Sequence, residues 1–308
     1  MCSSDLLPIG WTASPARQAV SLSRQDEAQT VRFTVEPAAG TAPGSYQVRA
    51  SVTTGGQSFS RGYQVIEYPH IRRQHIYHDA DALLKVIDVK TASNLNVGYV
   101  MGVGDEVPPA IEQLGARVTQ LSPDDLAWGT LSRFDVIVTG VRAYERRADL
   151  RANNARLLDY VNNGGTMIVQ YNKFEFNQAQ YGPYPARVSS ERVTDEFAPV
   201  TALEPSNPVF TTPNQIGEGA WKNWVQERGL YFLGDRDPHY TDLVSLVEPF
   251  PYNKGEKRGA LVEAQYGKGR WVYVGLGLWR ELPAGVDGAY LLLANLVSLG
   301  APAPATAR

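Results

Sequence analysis

The feature that most constrains the fold is a glycine pair followed by a short apolar run, at residues 164–172 (GGTMIVQYN). Glycine adopts the left-handed backbone that ends a helix, and an apolar, β-branched run of this length is typical of a buried strand. A similar run occurs at residues 134–140 (FDVIVTG), and residues 150–161 between the two carry apolar side chains at helical spacing. Together the three segments predict a βαβ unit in a parallel sheet.

The loops that leave the carboxyl ends of these strands are where a ligand is expected in an open α/β sheet. They are residues 141–144 (VRAY) and 171–176 (YNKFEF). Neither loop contains a serine, threonine or cysteine. The pattern therefore predicts a site without an obvious nucleophile.

Composition excludes several classes of function. The chain has 308 residues, 43% of them hydrophobic and 20% charged, and a net charge of -3. This is typical of a globular protein with two domains, and without a basic excess no nucleic-acid partner is expected. Cys2 is the only cysteine, so an intramolecular disulfide and a cysteine-based zinc site are both excluded. No apolar run approaches the length of a membrane span.

Residues 1–68 have the pattern of a small β-sandwich. Polar and apolar side chains alternate at residues 30–35, 46–52 and 59–65, and turn sequences separate these runs. The phrase PGSY at residues 43–46 resembles the immunoglobulin-like modules attached to bacterial carbohydrate-active enzymes. The segment is short for such a module. We therefore expect a truncated sandwich and a chain that is a fragment, with no signal peptide in its first residues.

Residues 69–95 are predicted to connect the two domains, and they contain three of the four histidines. His75, His78, Asp79 and Asp81 are of the residue types that bind metals. The alternative is an extended connector whose histidines face solvent or cap neighbouring carbonyls. We favour the connector because the residues match no metal-binding motif.

The second domain is predicted to span residues 96–308. A strand at 97–101 is followed by the loop GVGD, and Pro108 and Pro109 suit the first turn of a helix. Gly102 and Gly104 resemble part of a dinucleotide fingerprint, but the third glycine is absent. We expect a tight strand-to-helix turn here and no cofactor.

Residues 174–251 are predicted to form an irregular, aromatic-rich insertion over the carboxyl edge of the sheet. Its rings suit either stacking on a sugar or filling a core, and a core is the favoured interpretation. Asp235, Asp237 and His239 would share one face of a strand and form a second candidate metal cluster. A turn at Asp237 is favoured over a metal site. After the insertion, residues 259–276 predict a hairpin and residues 288–299 a closing helix.

Several phrases of the second domain resemble a known family. They are residues 139–144 (TGVRAY), 164–172 (GGTMIVQYN), 224–232 (WVQERGLYF) and 280–290 (RELPAGVDGAY). The region resembles the class I glutamine amidotransferase-like fold, specifically its ThuA-like branch and the carboxyl-terminal region of some bacterial PIG-L (LmbE-like) deacetylases. The resemblance implies a flavodoxin-like parallel sheet preceded by an immunoglobulin-like sandwich, in a protein exported to the periplasm or the cell exterior.

The departures from this family limit the implied chemistry. Amidotransferases carry a catalytic cysteine on a strained turn, where this chain has Tyr171 and Asn172. The zinc-binding His-Pro-Asp-Asp motif of the deacetylases does not occur. The resemblance therefore implies a non-catalytic accessory region, with a deacetylase domain upstream as partner and a glycan or N-acetylated sugar as ligand.

Two alternatives stay open, a divergent ThuA-like enzyme acting on carbohydrate and a purely structural interaction module. The residues proposed to contact a ligand lie at the tips of the strand-end loops, where an arginine and carboxylates beside aromatic rings suit a sugar. They are Arg142, Tyr144, Asn172, Lys173, Glu175, Arg280 and Glu281. The same residues would also suit a buried ion pair that holds the loops, which is the favoured interpretation.

Overall fold

The structure, a computed structural model, describes residues 7–24 and 27–301. The chain divides into two compact units, with the boundary between Asp88 and Val89. Each unit has its own pattern of strands.

Strands are the regular elements of the first unit in residues 7–24 and 27–88. Its strands are β1 (Thr12–Ser14), β2 (Thr34–Glu36), β3 (Gly44–Arg49), β4 (Val52–Thr54), β5 (Gln57–Phe59), β6 (Arg61–Ile66), β7 (Gln74–Asp79) and β8 (Asp81–Val86). They pair antiparallel as β1 with β2, β3 with β8, β4 with β5 and β6 with β7. The sequence predicts a connector at residues 69–95; the structure instead places β7 and β8 there, paired with β6 and β3 of the first unit.

Little apolar surface is buried in the first unit. Among its described hydrophobic residues Trp11 alone is buried, with its ring centroid 5.0 Å from that of Tyr46. An apolar groove of about 680 Å³ runs beside it, lined by side chains of β1, β2, β3 and β8 that include Val35 and Val48. The alternation that predicts strands is thus present, but these residues do not close a core.

The second unit is built around a seven-stranded sheet. Its strands are β9 (Asn96–Val100), β10 (Arg117–Gln120), β11 (Val136–Thr139), β12 (Thr166–Gln170), β18 (Tyr240–Asp242), β21 (Leu261–Tyr266) and β22 (Gly269–Val274), in the order β10-β9-β11-β12-β22-β21-β18. The first five strands of this order are parallel to one another. The last two pair antiparallel with their neighbours. The sheet is therefore mixed, whereas the sequence analysis predicts a parallel one.

Eight helices accompany this sheet in the described part of the chain. They are α1 (Val107–Gln113), α2 (Pro123–Trp128), α3 (Ala143–Arg146), α4 (Ala148–Ala152), α5 (Asn154–Asn162), α6 (Pro208–Thr211), α7 (Leu278–Glu281) and α8 (Asp287–Ser298). Side chains alternate across β11, so that Val136 and Val138 join one apolar core with α1 and α8 while Ile137 joins the other with α2 to α5. Helices therefore cover both faces of the sheet.

The predicted insertion forms small antiparallel sheets as well as one strand of the main sheet. Its other strands are β13 (Ala186–Val188), β14 (Arg192–Val193), β15 (Val200–Ala202), β16 (Gly229–Leu230), β17 (Leu233–Arg236) and β19 (Val244–Glu248), and β20 (Gly255–Lys257) follows it. They pair as β13 with β17 and β14 with β16, and β19 pairs with β15 on one side and β20 on the other. Short 3₁₀ turns lie at Leu131–Arg133, Phe174–Gln178 and Glu218–Trp221.

Two local predictions are confirmed by the strand pairing. β11 and β12 are parallel neighbours with α5 between them in sequence, which is the predicted βαβ unit. β21 and β22 form the predicted hairpin, with Tyr266 opposite Gly269 at the turn. The carboxyl ends of β11, β12 and β22 consequently lie side by side at one edge of the sheet.

Candidate functional site

The crevice between β9 and β11, where the strand order reverses, is closed by direct contact between the two loops. The Val103 N–H donates to the Val141 carbonyl at 3.0 Å, and a Cβ on Gly102 would lie 1.9 Å from that carbonyl oxygen. Asp105 crosses the same space, where its carboxylate accepts from the Tyr99 hydroxyl at 2.6 Å and from the Val141 N–H at 3.1 Å. The usual ligand position of such a sheet is therefore occupied by the chain itself.

Arg142 forms the sharp turn after β11. Its φ of 56° and ψ of 31° are left-handed, and its N–H donates to the Tyr171 carbonyl at 2.9 Å. Its guanidinium forms two hydrogen bonds with the Glu145 carboxylate, which lower the pKa of Glu145 and raise that of Arg142. The strained turn thus follows β11, and Tyr171 and Asn172 after β12 do not have a left-handed backbone.

Tyr144 and Asn172, both predicted to contact a ligand, are buried and hydrogen-bonded inside the unit. The Asn172 side chain accepts from the Tyr144 N–H at 3.0 Å and donates to the Gln170 carbonyl at 2.9 Å. The Tyr144 hydroxyl donates to Asn154 at 2.7 Å. Because their polar atoms are used in this way, these two residues hold the strand-end loops in place.

An aromatic group lies beside this turn. Tyr171 stacks on Tyr231 with ring centroids 5.9 Å apart, and the Trp279 ring centroid lies 4.3 Å from that of Tyr171. Phe174 meets Tyr231 edge to face at 5.7 Å and is the most exposed ring of the four. Burial raises the pKa of the Tyr171 hydroxyl, while Arg142 and Arg280 act in the opposite direction.

Cationic side chains surround these rings. The Lys173 Nζ lies 5.9 Å from the Tyr231 ring centroid, and the Arg280 guanidinium lies 5.8 Å from that of Trp279. Arg280 also pairs with Glu227 at 3.1 Å and donates to the Gln226 side chain. We call the following residues the strand-end cluster: Arg142, Glu145, Tyr171, Lys173, Phe174, Glu175, Gln226, Glu227, Tyr231, Trp279, Arg280 and Glu281.

Two carboxyl groups of the cluster keep an oxygen without a hydrogen-bond partner. They are Glu175 Oε2 and Glu281 Oε1, both buried. The other oxygen of Glu281 accepts from the Val225 N–H at 2.9 Å. Burial raises the pKa of Glu281 to about 7. A carboxyl group with this pKa exchanges a proton near neutrality, as an acid–base group does.

Five of the seven predicted site residues are therefore in the cluster, and seven of its twelve members were missed, among them Tyr231, Glu227 and Trp279. Tyr231 and Glu227 come from the insertion, and Trp279 follows β22. The insertion does reach the carboxyl edge, as its aromatic composition predicts. No local pattern around Tyr231 gave a reason to choose it over the other aromatic residues of the insertion.

The candidate metal ligands do not assemble. Within residues 7–24 and 27–301 no group of three histidine, cysteine, aspartate or glutamate side chains is arranged to hold a metal ion. His239 Nδ1 lies 2.6 Å from Asp237, and its ring stacks on Tyr184, while Asp235 lies on β17. Asp237 accepts the His239 N–H at 2.9 Å, which is the turn that the sequence analysis favours. The other set of predicted ligands lies on β7 and β8, and consists of His75, His78, Asp79 and Asp81.

No helix in the described ranges is both long enough and apolar enough to cross a membrane. α8, with twelve residues, is the longest of those helices.

Comparison with known proteins gives one family match, confined to the amino-terminal part. Residues 3–55 match the family described as the NPCBM-associated, NEW3 domain of alpha-galactosidase. No curated protein matches the chain.

Distant likenesses are found among solved structures. A cytoplasmic protein from Salmonella typhimurium is 11% identical, with 82% of this chain and 94% of that chain covered and a TM-score of 0.42. The β-galactosidase from Rahnella sp. R3 is 14% identical, with coverages of 68% and 32% and a TM-score of 0.37. The β-galactosidase from Bacillus circulans sp. alkalophilus is also 14% identical, with coverages of 68% and 31% and a TM-score of 0.39. The chain thus spans about a third of the length of these β-galactosidases.

Proposed function

We propose that this chain is a carbohydrate-associated accessory region whose second unit binds a sugar at the strand-end cluster. The family match of residues 3–55 supports the carbohydrate association, because that family is described by its occurrence in alpha-galactosidase. The sugar site itself rests on the geometry of the second unit.

The observation that carries the site is a concentration of backbone strain. In the described part of the chain five residues other than glycine have positive φ, and two of them are asparagines, which tolerate it. The other three are Arg142, Gln226 and Tyr231, and all three belong to the strand-end cluster. Each costs about 1 to 3 kcal/mol, and such residues concentrate where a precise arrangement serves function.

The chemistry of the cluster suits a pyranose ring. The C–H face of a sugar packs on aromatic rings such as Phe174 and Trp279, which remain partly accessible. Charged groups at the rim, such as Lys173 and Arg280, can donate to its hydroxyls. Apolar rings with charged donors beside them recognise a polyol better than a purely apolar ligand.

Calorimetry with the whole chain tests this site, using oligomers of N-acetylglucosamine and of galactose as probes. We expect Trp279→Ala to weaken binding about tenfold, taking for one sugar ring the lower part of the roughly 1 to 3 kcal/mol that stacking of a nucleic-acid base on an aromatic side chain contributes. Trp128→Ala, which removes an exposed tryptophan on α2, serves as the control. Equal binding by Trp279→Ala and the wild type would exclude the cluster as the site.

A more specific proposal rests on the resemblance of the second unit to deacetylase-associated regions. The chain would then serve an exported PIG-L-type deacetylase of N-acetylated sugars, outside the cytoplasm, and would itself be non-catalytic. Preference for N-acetylated over de-acetylated chitin oligomers in the same calorimetry supports this proposal. Equal affinity for both contradicts it without affecting the sugar site.

A divergent carbohydrate-active enzyme is the second candidate, and Glu281 is the observation that favours it. Its buried carboxyl group, with one free oxygen and a pKa of about 7, has the properties of a general acid or base. Release of reducing sugar or acetate that is lost in Glu281→Gln would favour an enzyme. Binding without turnover favours the accessory role.

A further inference from the structure

One face of the β6–β7 ribbon in the first unit carries an exposed group of aromatic side chains. The register pairs Tyr63 with Tyr77, Val65 with His75 and Arg61 with Asp79. Because side chains alternate between the two faces of a strand, these six residues share one face. We call this face the ribbon surface. It lies beyond residues 3–55, so the family match does not describe it.

The rings of the ribbon surface lie close to one another and are open to solvent. The Tyr63 centroid is 4.9 Å from that of His75 and 5.9 Å from that of Tyr77. Tyr63 is 55% exposed and Tyr77 63%. At the end of the row, Arg61 forms an ion pair with Asp79 at 3.2 Å, and both side chains are largely exposed.

The Arg61–Asp79 pair makes this face suited to a hydrated ligand and unsuited to burial in an apolar core. Burying Arg61 and Asp79 against apolar side chains would cost several kcal/mol per ion, which their attraction repays only with excellent geometry. Left in water, the same pair offers hydrogen bonds at the edge of the rings. A ligand with both an apolar face and many hydroxyls can pack on the rings and hydrogen-bond to the charged pair.

The narrow shape of the ribbon argues against a protein partner. Two paired strands are about 4.8 Å apart, and the three pairs extend over about 13 Å along the strands. A stable protein interface needs about 800 Å² on each partner, which six side chains do not supply. A linear chain of sugar rings fits this length and width, with one ring over the Tyr63–Tyr77 pair and the next unit along the strands over Arg61 and Asp79.

We propose that the ribbon surface is a second carbohydrate-binding site, which takes a short linear oligosaccharide or a segment of a polysaccharide. One sugar ring packs on the two side chains of the cross-strand Tyr63–Tyr77 pair, and the Arg61–Asp79 pair hydrogen-bonds to hydroxyls of the neighbouring unit. This site goes beyond the proposed function, because it belongs to the first unit and is independent of the strand-end cluster.

Affinity electrophoresis of the whole chain tests the ribbon surface, with soluble galactomannan and partly acetylated chitosan as probes in the gel. We expect at least one of them to retard the wild type. Tyr63→Ala should raise the dissociation constant obtained from that retardation about tenfold, and Tyr77→Ala should have the same effect. Ile76→Ala is the matched control, because Ile76 lies next to Tyr77 on β7 and its side chain is on the opposite face of the ribbon. It should migrate as the wild type does.

The outcomes distinguish this site from the strand-end cluster. Trp279→Ala should leave the retardation that depends on Tyr63 in place. No retardation by either polysaccharide, or equal retardation of the wild type and the Tyr63→Ala/Tyr77→Ala double variant, would overturn the proposal. Concentration-dependent association in sedimentation that Tyr77→Ala abolishes would also overturn it, since it would assign the surface to a protein partner.

Discussion

At the scale of single residues, the second unit is strained where it is proposed to bind. Arg142, Gln226 and Tyr231 adopt a backbone conformation that glycine would adopt at lower cost. The same three residues supply a guanidinium, an amide and a ring to the strand-end cluster. Glycine at these three positions would therefore lower the strain but remove the side chains proposed to form the binding site.

Gln226→Gly should stabilise the second unit by about 1 kcal/mol, because it removes the strain of a left-handed glutamine. The lost hydrogen bond from Arg280 is partly exposed and offsets only part of this gain. Urea unfolding followed by tryptophan fluorescence measures the change. Gln215→Gly, at an exposed position without positive φ, should lower the free energy of unfolding instead. Destabilisation by both variants would refute the strain argument.

Glu281 makes stability depend on pH. Its folded pKa of about 7 exceeds the ordinary value of 4.5, so the folded state binds more protons between these two values. The stabilisation associated with the protonated form is fully present below about pH 4.5 and is lost as the pH rises through about 7.

Glu281→Gln should therefore raise the free energy of unfolding near pH 8, by up to about 3 kcal/mol, and change it little near pH 5. The amide oxygen of glutamine still accepts the Val225 N–H. Urea titrations of both proteins at the two pH values measure the difference, with the exposed Glu204→Gln as control. An equal gain at both pH values would mean that the charge of Glu281 is not responsible.

At the scale of elements, sequence patterns predicted what depends on neighbours in the chain. The apolar runs of β11 and β12 and the hairpin of β21 and β22 are set by local alternation, turns and glycine positions. Tyr144 and Asn172 were assigned to a ligand because they follow strand ends; their burial depends on contacts such as those with Tyr181 and Tyr273, which are distant in sequence. Tyr231 joins the cluster through long-range packing of the insertion. Such contacts leave no periodic signal.

The close approach of the loops after β9 and β11 depends on the absence of a side chain at Gly102. A Cβ there would lie 1.9 Å from the Val141 carbonyl oxygen, so the two loops must separate to accommodate it. Gly102→Ala should destabilise the second unit by about 2 kcal/mol or more. Gly217→Ala is the control, because its Cβ would meet nothing within 4 Å. Equal thermal stability of Gly102→Ala and the wild type would show that the loops do not hold this contact.

At the scale of the whole molecule, the two units differ in how much apolar surface they bury. The second has a sheet covered on both faces, whereas the described residues of the first bury Trp11 alone among their hydrophobic side chains. Burial of apolar area is the main favourable contribution to folding. We therefore expect the second unit to be much more stable than the first.

A fragment of residues 89–301 should unfold cooperatively, and a fragment of residues 7–88 should not. Circular dichroism during heating distinguishes the two, since a cooperative unit gives a sigmoidal transition. A sharp transition in the shorter fragment would mean that its ladders close a core in solution that these residues do not form in the structure.

The position of β22 between β12 and β21 has a consequence for synthesis. β12 pairs with β22 through Thr166 and Arg270, about a hundred residues apart. At about 5 to 20 residues per second on the ribosome, the backbone groups of β12 that pair with β22 remain without this partner for about 5 to 20 seconds. A nascent chain of this protein therefore exposes a hydrophobic strand for that interval, which is the situation in which chaperones act.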